Sequence, residues 1–299
     1  MKHLLALMLA LMTLLLIFGC SEAPPTQTSA SPNVDHSIAL VERPEFVDTR
    51  PAEVVAQFTM TANEIPDVVL NKRPVPPPPD DTTSGDDPNP NPAHKYAYVV
   101  GISDYEGTEN DLTYCDDDAI AMKAWLETQG FTVRMDLDMN ATAANITAGL
   151  QWLIDNAVPG DEVCLSYSGH GGTSTEGSAM ISADLYWMTH GYVMSYFNAI
   201  NCTKKLVAID ACVIGDFHSD AVAGTFMATA SFKRNSYDAP DLNHGAWTYY
   251  WLDGVEDMNL IFAEEAAPYA EDGMLAWASQ YRVKVDPTHT DLYTNDMDM

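Results

Sequence analysis

The sequence predicts an α/β fold, a mostly parallel sheet of about six strands with helices on both faces. Three observations predict it. Short apolar runs alternate with helically spaced stretches across residues 95–285, and several of these runs are apolar throughout, as strands covered on both faces must be. Two of the runs end in reactive side chains, His170 and Cys212, which an open sheet would carry together at the carboxyl edge of its strands.

Taken in order, residues 96–102 are a continuous apolar strand, and residues 116–129 put Ala119, Met122, Trp125 and Leu126 on one helical face before Gly130 stops the turn. A second strand is expected at 131–135, then a helix carrying Ile146, Leu150, Leu153 and Ile154. Residues 163–167, 206–209 and 225–231 supply the third, fourth and fifth strands, and 247–252 begins another helix, with Trp247 expected at the edge of a substrate groove.

The flanks differ in character. Residues 1–20 combine Lys2, an apolar stretch over 4–18 and the small pair Gly19-Cys20, the pattern of a targeting segment removed on export. Residues 21–94 are rich in Pro, Thr, Ser, Asp and Asn, including Pro76-Pro77-Pro78-Pro79, and read as a stiff, largely disordered tether with one candidate ordered island at 54–70. The acidic tail 286–299 is expected to fray.

With 43 Asp and Glu against 14 Lys and Arg, the formal net charge of −29 excludes nucleic acid as a partner, because phosphate binding needs clustered cations. The same charge attracts cationic peptides. Five cysteines do not make a disulfide framework. Beyond Cys20 and Cys212 they leave Cys115, Cys164 and Cys202, among which one bridge is open, although Cys164 falls inside an apolar strand. His190, His218 and His244 show no paired metal-ligand spacing and read as solvent or packing residues.

The chemistry is concentrated at two strand ends, Ser166-Tyr167-Ser168-Gly169-His170-Gly171-Gly172 and Val207-Ala208-Ile209-Asp210-Ala211-Cys212. A cysteine nucleophile acts as a thiolate, and a neighbouring imidazole stabilises it and later protonates a leaving amine. Glycines around His170 let main-chain N–H groups approach a developing oxyanion, which suggests Gly171 and Cys212 as its donors.

These segments resemble the successive landmarks of the caspase and metacaspase family, together with 98–105, 112–119 and the run His244-Gly245-Ala246-Trp247-Thr248-Tyr249-Tyr250-Trp251-Leu252. The resemblance spans about 96–254. It implies a caspase-like three-layer sandwich and a cysteine endopeptidase with a His170 and Cys212 dyad, working through an acyl-thioenzyme. Asp210-Ala211-Cys212-Val213-Ile214-Gly215 also resembles clostripain-like peptidases, and Val213-Ile214 and Tyr114 depart from the metacaspase pattern, so the subfamily stays open. A catalytically inactive, peptide-binding lipoprotein on the same fold is the alternative.

The metacaspase likeness puts the lining of the S1 pocket at Asp118, Ser168 and Asp210, and converging carboxylates call for Arg or Lys at P1. Asp118 has a second reading as a carboxylate at a helix start. No cofactor is implied as a requirement; calcium activation is an option, with Asp184 or Asp220 as ligands. The segment Ile17-Phe18-Gly19-Cys20 resembles the lipobox of bacterial lipoproteins, implying lipidation at Cys20 and an exported protein held to a membrane facing the periplasm or cell exterior. No Lys or Arg lies between Lys205 and Lys233, so a peptidase selecting basic P1 cannot cut itself just after the nucleophile, and a single-chain monomer is expected.

Overall fold

In the computed structural model, which describes residues 41–42 and 87–299, the chain begins with Val41–Glu42 (β1) and enters the central sheet at Lys95–Gly101 (β2). Cys115–Thr128 (α1), Thr132–Leu137 (β3), Ala143–Asn156 (α2) and Glu162–Ser168 (β4) follow. Gly171–Ser174 (β5), Gly177–Ile181 (β6) and Tyr186–Thr189 (β7) make an antiparallel meander, joined at its edge by β1 through Val41 opposite Trp187. Then come His190–Ala199 (α3), Lys204–Asp210 (β8), Asp216–Asp220 (α4), Thr225–Thr229 (β9) and the pair Asp238–Ala239 (β10) and His244–Gly245 (β11). Ala246–Leu252 (α5), Ala263–Tyr281 (α6) and Thr288–Asp291 (β12) complete the domain.

The central sheet has six strands in the order β12-β9-β8-β4-β2-β3, all parallel except β12, which agrees with the predicted α/β class. Alternation along β2 shows why two layers of helices are needed. Ala97 and Val99 face one core with Met122 and Trp125 of α1, Trp251 of α5 and Trp277 of α6. Tyr98 and Val100 face the other, with Ile146, Leu150 and Leu153 of α2 and Val193 and Phe197 of α3. Two helix starts are capped by threonine side chains, Thr142 accepting from the N–H of Asn145 and Thr189 from that of Tyr192.

Three expectations change, and an option left open among the cysteines is closed. The 286–299 tail is not frayed: β12 pairs with β9 from Thr288 opposite Thr229 to Asp291 opposite Phe226, and Met297 is fully buried. The otherwise open edge of β9 supplies the partner, and the His289 ring stacks on Phe226 at 5.6 Å. Trp247 does not edge a groove but stacks on Trp251 at 5.3 Å, 1% exposed. The predicted tether is ordered at β1, and again from Asp87, which is buried beside Lys204. Cys115, Cys164 and Cys202 are buried and all three are free.

Lys204 is fully buried at the amino end of β8, where it pairs with Asp87 at 2.9 Å, Glu162 at 3.4 Å and Asp298. Asp87 in turn accepts from the Tyr293 hydroxyl at 2.7 Å and the Asp298 N–H at 2.9 Å, so one ammonium gathers the linker and the tail. Among the described residues no helix is long and apolar enough to cross a membrane. The targeting segment with Cys20 and the 54–70 island lie outside the described residues.

Candidate active site

β4 and β8 are parallel neighbours whose last register pair is Ser168 opposite Asp210. His170 and Cys212 each follow two residues later, so equal offsets from one paired position deliver both to the same sheet edge. Both line one cleft of about 300 Å³, counting space open to solvent, with Ser168, Asp210, Ser236, Tyr237, Asp238 and Gly245 among its other walls.

Four contacts orient His170, which is 4% exposed. Its N–H donates to the Tyr105 hydroxyl at 2.8 Å, its carbonyl accepts from the Tyr167 hydroxyl at 2.8 Å, and its ring lies 4.9 Å from that of Tyr105. Nε2 lies 2.7 Å from the main-chain oxygen of Asn110. A carbonyl only accepts, so Nε2 carries a hydrogen and Nδ1 is the nitrogen that can exchange a proton with a thiol.

Cys212 is half-buried, and the Ser236 N–H donates to its sulfur at 3.3 Å, a bond that strengthens when the sulfur is anionic. Val213 follows at φ +55°, costly for a β-branched residue. The turn is held by Val213 N–H to the Arg234 carbonyl and Gly215 N–H to the Phe232 carbonyl, both 2.9 Å. The Asp286 carboxylate then accepts from the N–H groups of Phe232, Lys233 and Arg234 at 3.0, 2.9 and 3.0 Å.

Gly171 must be glycine: a Cβ there would stand 2.1 Å from the Cys212 oxygen and 3.0 Å from the Cys212 nitrogen. The bond from Ile181 N–H to His170 O marks that pair as hydrogen-bonded, so Gly171 opposite Met180 is the next, non-bonded pair. Its N–H is therefore turned away from β6.

The acids converge behind the cleft. Asp118 is fully buried and accepts from the Ser168 hydroxyl at 2.7 Å and from the Gly245 N–H at 3.0 and 3.1 Å, while His244 Nδ1 lies 2.8 Å away. Its partners are on β4 and β11, so the reading as a helix-start carboxylate gives way to a bridging one. Asp210 accepts from Thr248 N–H at 3.1 Å, from Thr248 Oγ1 at 2.9 Å and from the Ser236 hydroxyl. A Cβ on Gly245 would fall 2.4 Å from Asp210 Oδ2 and 2.7 Å from Asp118 Oδ2, so both carboxylates press on one glycine. Burial first and the Asp118 charge second push the Asp210 carboxyl up to about 7. Ser168 and Asp210 line the cleft directly, and Asp118 stands behind them.

Residues 94–280 match the sequence pattern of the caspase domain. The chain belongs to the caspase-domain family. The metacaspase-1 of Scheffersomyces stipitis is 33% identical over 92 residues, covering 27% of this chain and 23% of that protein. The metacaspase-1 of Saccharomyces cerevisiae is 34% identical over 91 residues, covering 27% and 21%. The chain thus matches less than a quarter of the length of these relatives. Protein GSU0716 of Geobacter sulfurreducens, a solved structure, shares 16% identity over 69% of this chain and 97% of its own, with a TM-score of 0.52, a likeness of fold.

Within this caspase domain several contributors had no sequence signal. Asn110 acts through its main chain, which leaves no side-chain signature, while Ser236 lies in a loop and Asp238 opens the two-residue strand β10, too short for a periodic pattern. Asp238 adds a second acid to the cleft wall beside Asp210, accepting from the Thr113 N–H at 2.9 Å and facing Cys115 Sγ at 3.8 Å. His244 stands in a recognisable motif, yet neither a solvent nor a packing role describes its contact with Asp118. The Cys115 thiol, also in the wall, is pushed well above its ordinary range by burial and then by Asp238, which keeps it protonated.

The two aspartates considered for calcium are already engaged. Asp184 accepts from the Ala143 N–H at 2.8 Å and the Ser182 hydroxyl at 2.7 Å, and Asp220 pairs with His190 at 2.6 Å. No group of three or more His, Cys, Asp or Glu placed to hold a metal occurs among the described residues.

Proposed function

We propose that the protein is a cysteine endopeptidase that hydrolyses peptide bonds after Arg or Lys. Family membership supports a cysteine peptidase, and the observation carrying the finer reading is the cleft itself, with imidazole and sulfur at equal offsets on paired strands and buried carboxylates beneath them.

In this mechanism His170 takes the Cys212 proton at Nδ1 while Asn110 holds Nε2. The thiolate attacks the scissile carbonyl, and the oxyanion is stabilised by the N–H groups of Gly171 and Cys212. The imidazolium protonates the leaving amine, giving an acyl-thioenzyme, and water assisted by His170 then releases the new carboxyl end. Ser168 and Asp210 meet the P1 cation, and Asp118 adds its field from behind.

The test is a fluorogenic peptide panel with Arg, Lys, Asp and Asn at P1, run on the wild type beside Cys212→Ala. Turnover of the Arg and Lys peptides that vanishes in the variant is expected. Asp-selective turnover would overturn the S1 reading and leave the dyad standing.

The same proposal has the enzyme exported as a single-chain monomer, tethered by lipid at Cys20. Replacing Cys20 by Ala should move it from the membrane fraction to the soluble fraction, and persistence in the membrane would refute the anchor.

A further inference from the structure

The acids at the floor of the cleft have a basic companion. His244 lies on β11, fixed by Ala239 opposite it, and its Nδ1 lies 2.8 Å from Asp118 Oδ1. Its side chain is 24% exposed whereas that of Asp118 is 1% exposed, so it can exchange protons with solvent while its partner is sealed. The neighbouring Gly245 N–H grips the same carboxylate, and a Cβ on Gly245 would meet both Asp118 and Asp210.

We propose that His244 is a specificity-determining residue: as the counter-ion of Asp118 it sets how strongly the S1 pocket distinguishes a charged P1 side chain from a neutral one of the same shape. This rests on the Arg and Lys reading above and names what tunes it. A cation in S1 is attracted by the net charge around it, and an imidazolium beside Asp118 cancels part of that charge.

Other charged and titratable groups face the imidazole. Asp117 and Asp118 come from α1, Asp210 from β8 and Tyr249 from α5, its ring 6.4 Å away, while the residue opposite on the paired strand β10 is the uncharged Ala239. Burial alone would lower the imidazole's proton affinity, but the bond to Asp118 and the charges of Asp118, Asp117 and Asp210 hold it above the ordinary histidine value. The group is thus cationic at mildly acidic pH and neutral in alkali. Asp210 changes charge in the same direction as pH rises, so a variant is needed to separate the two.

The experiment compares the full-length wild type with His244→Gln and His244→Lys on paired peptides bearing arginine or its uncharged isostere citrulline at P1. The readout is the ratio of the two kcat/KM values. Because the ratio is internal, a partly misfolded variant does not distort it. At about pH 6 His244→Gln should raise the ratio by about tenfold through a lower KM for arginine, as expected for removing one charge at close range in a partly buried site. At about pH 9 it should match the wild type, and His244→Lys should keep the ratio low at both values. Equal ratios for wild type and His244→Gln at about pH 6, or an offset of the same size at both pH values, would overturn the role of His244 and leave the Arg and Lys reading intact. Absence of cleavage after arginine in all three proteins would overturn both.

Discussion

A Cβ on Gly171 would stand 2.1 Å from the carbonyl oxygen of Cys212. The main chain after His170 and the main chain of Cys212 are therefore in contact, and one atom more would force them apart. Gly171→Ala should lower kcat by about 10²–10³, the usual effect of losing an oxyanion donor. It should cost about 1–3 kcal/mol of stability from overpacking. Activity and urea denaturation measured together check this; a stable, fully active variant would contradict the contact.

The raised Asp210 carboxyl carries a sign that stability measurements can read. The group binds its proton more tightly when folded, up to about 7, than its ordinary value of 3.8. Between those values the native state holds the extra proton, so this group's contribution to stability falls as pH rises. Asp210→Asn should therefore gain stability relative to the wild type between about pH 4 and 8. Urea midpoints at the two ends test it, and a constant difference would refute the shift.

His218 has the opposite sign. Its ring nitrogens meet Thr290 Oγ1 at 2.8 Å and Thr229 Oγ1 at 2.9 Å, and burial first, then His289, lowers its pKa from 6.5 to about 4. The folded state thus disfavours the proton, and stability from this site is lost as pH falls from about 6.5 to 4. The loss is on the order of 3 kcal/mol. His218→Gln should show a shallower acid loss than the wild type in chemical denaturation.

Removing the ammonium from Lys204→Met leaves buried carboxylates facing one another. A destabilisation of about 3–5 kcal/mol is expected, as for other broken buried ion pairs. Residues 87–94 should become accessible to added protease, while kcat per folded molecule stays unchanged. Unchanged denaturation midpoints would contradict the cluster's role.

Mass spectrometry of the purified protein should find no chain end between residues 213 and 232, where no Lys or Arg occurs. Lys233 and Arg234 are basic, but the Asp286 carboxylate holds their N–H groups. Asp286→Ala should free this loop and increase trypsin cleavage there, measured as the rate of fragment appearance.

Much of the site was legible because chemistry and strand periodicity coincide in it. β4 and β8 announce themselves as apolar runs, and equal spacing after each run aligns His170 with Cys212. What stayed hidden depends on contacts distant in sequence. β5–β7 are short and carry glycine and polar residues, so they lack an apolar period, and α6 is diluted by alanine and holds Pro268 within it. β12 reads as a polar, acidic end because only one edge of it pairs. The bond from Ser236 to the Cys212 sulfur spans 24 residues and that from His244 to Asp118 spans 126, separations that no local pattern encodes.

The ion cluster around Lys204 and the Cys212 sulfur lie at opposite ends of one strand, since β8 runs from Lys204 to Asp210 and Cys212 follows. At about 3.3 Å per residue that strand is about 20 Å long. The linker arriving at Asp87 therefore joins the domain at the pole remote from the cleft. Strain applied to the chain at Asp87 is therefore borne by the Lys204 ammonium, a full strand length from the sulfur.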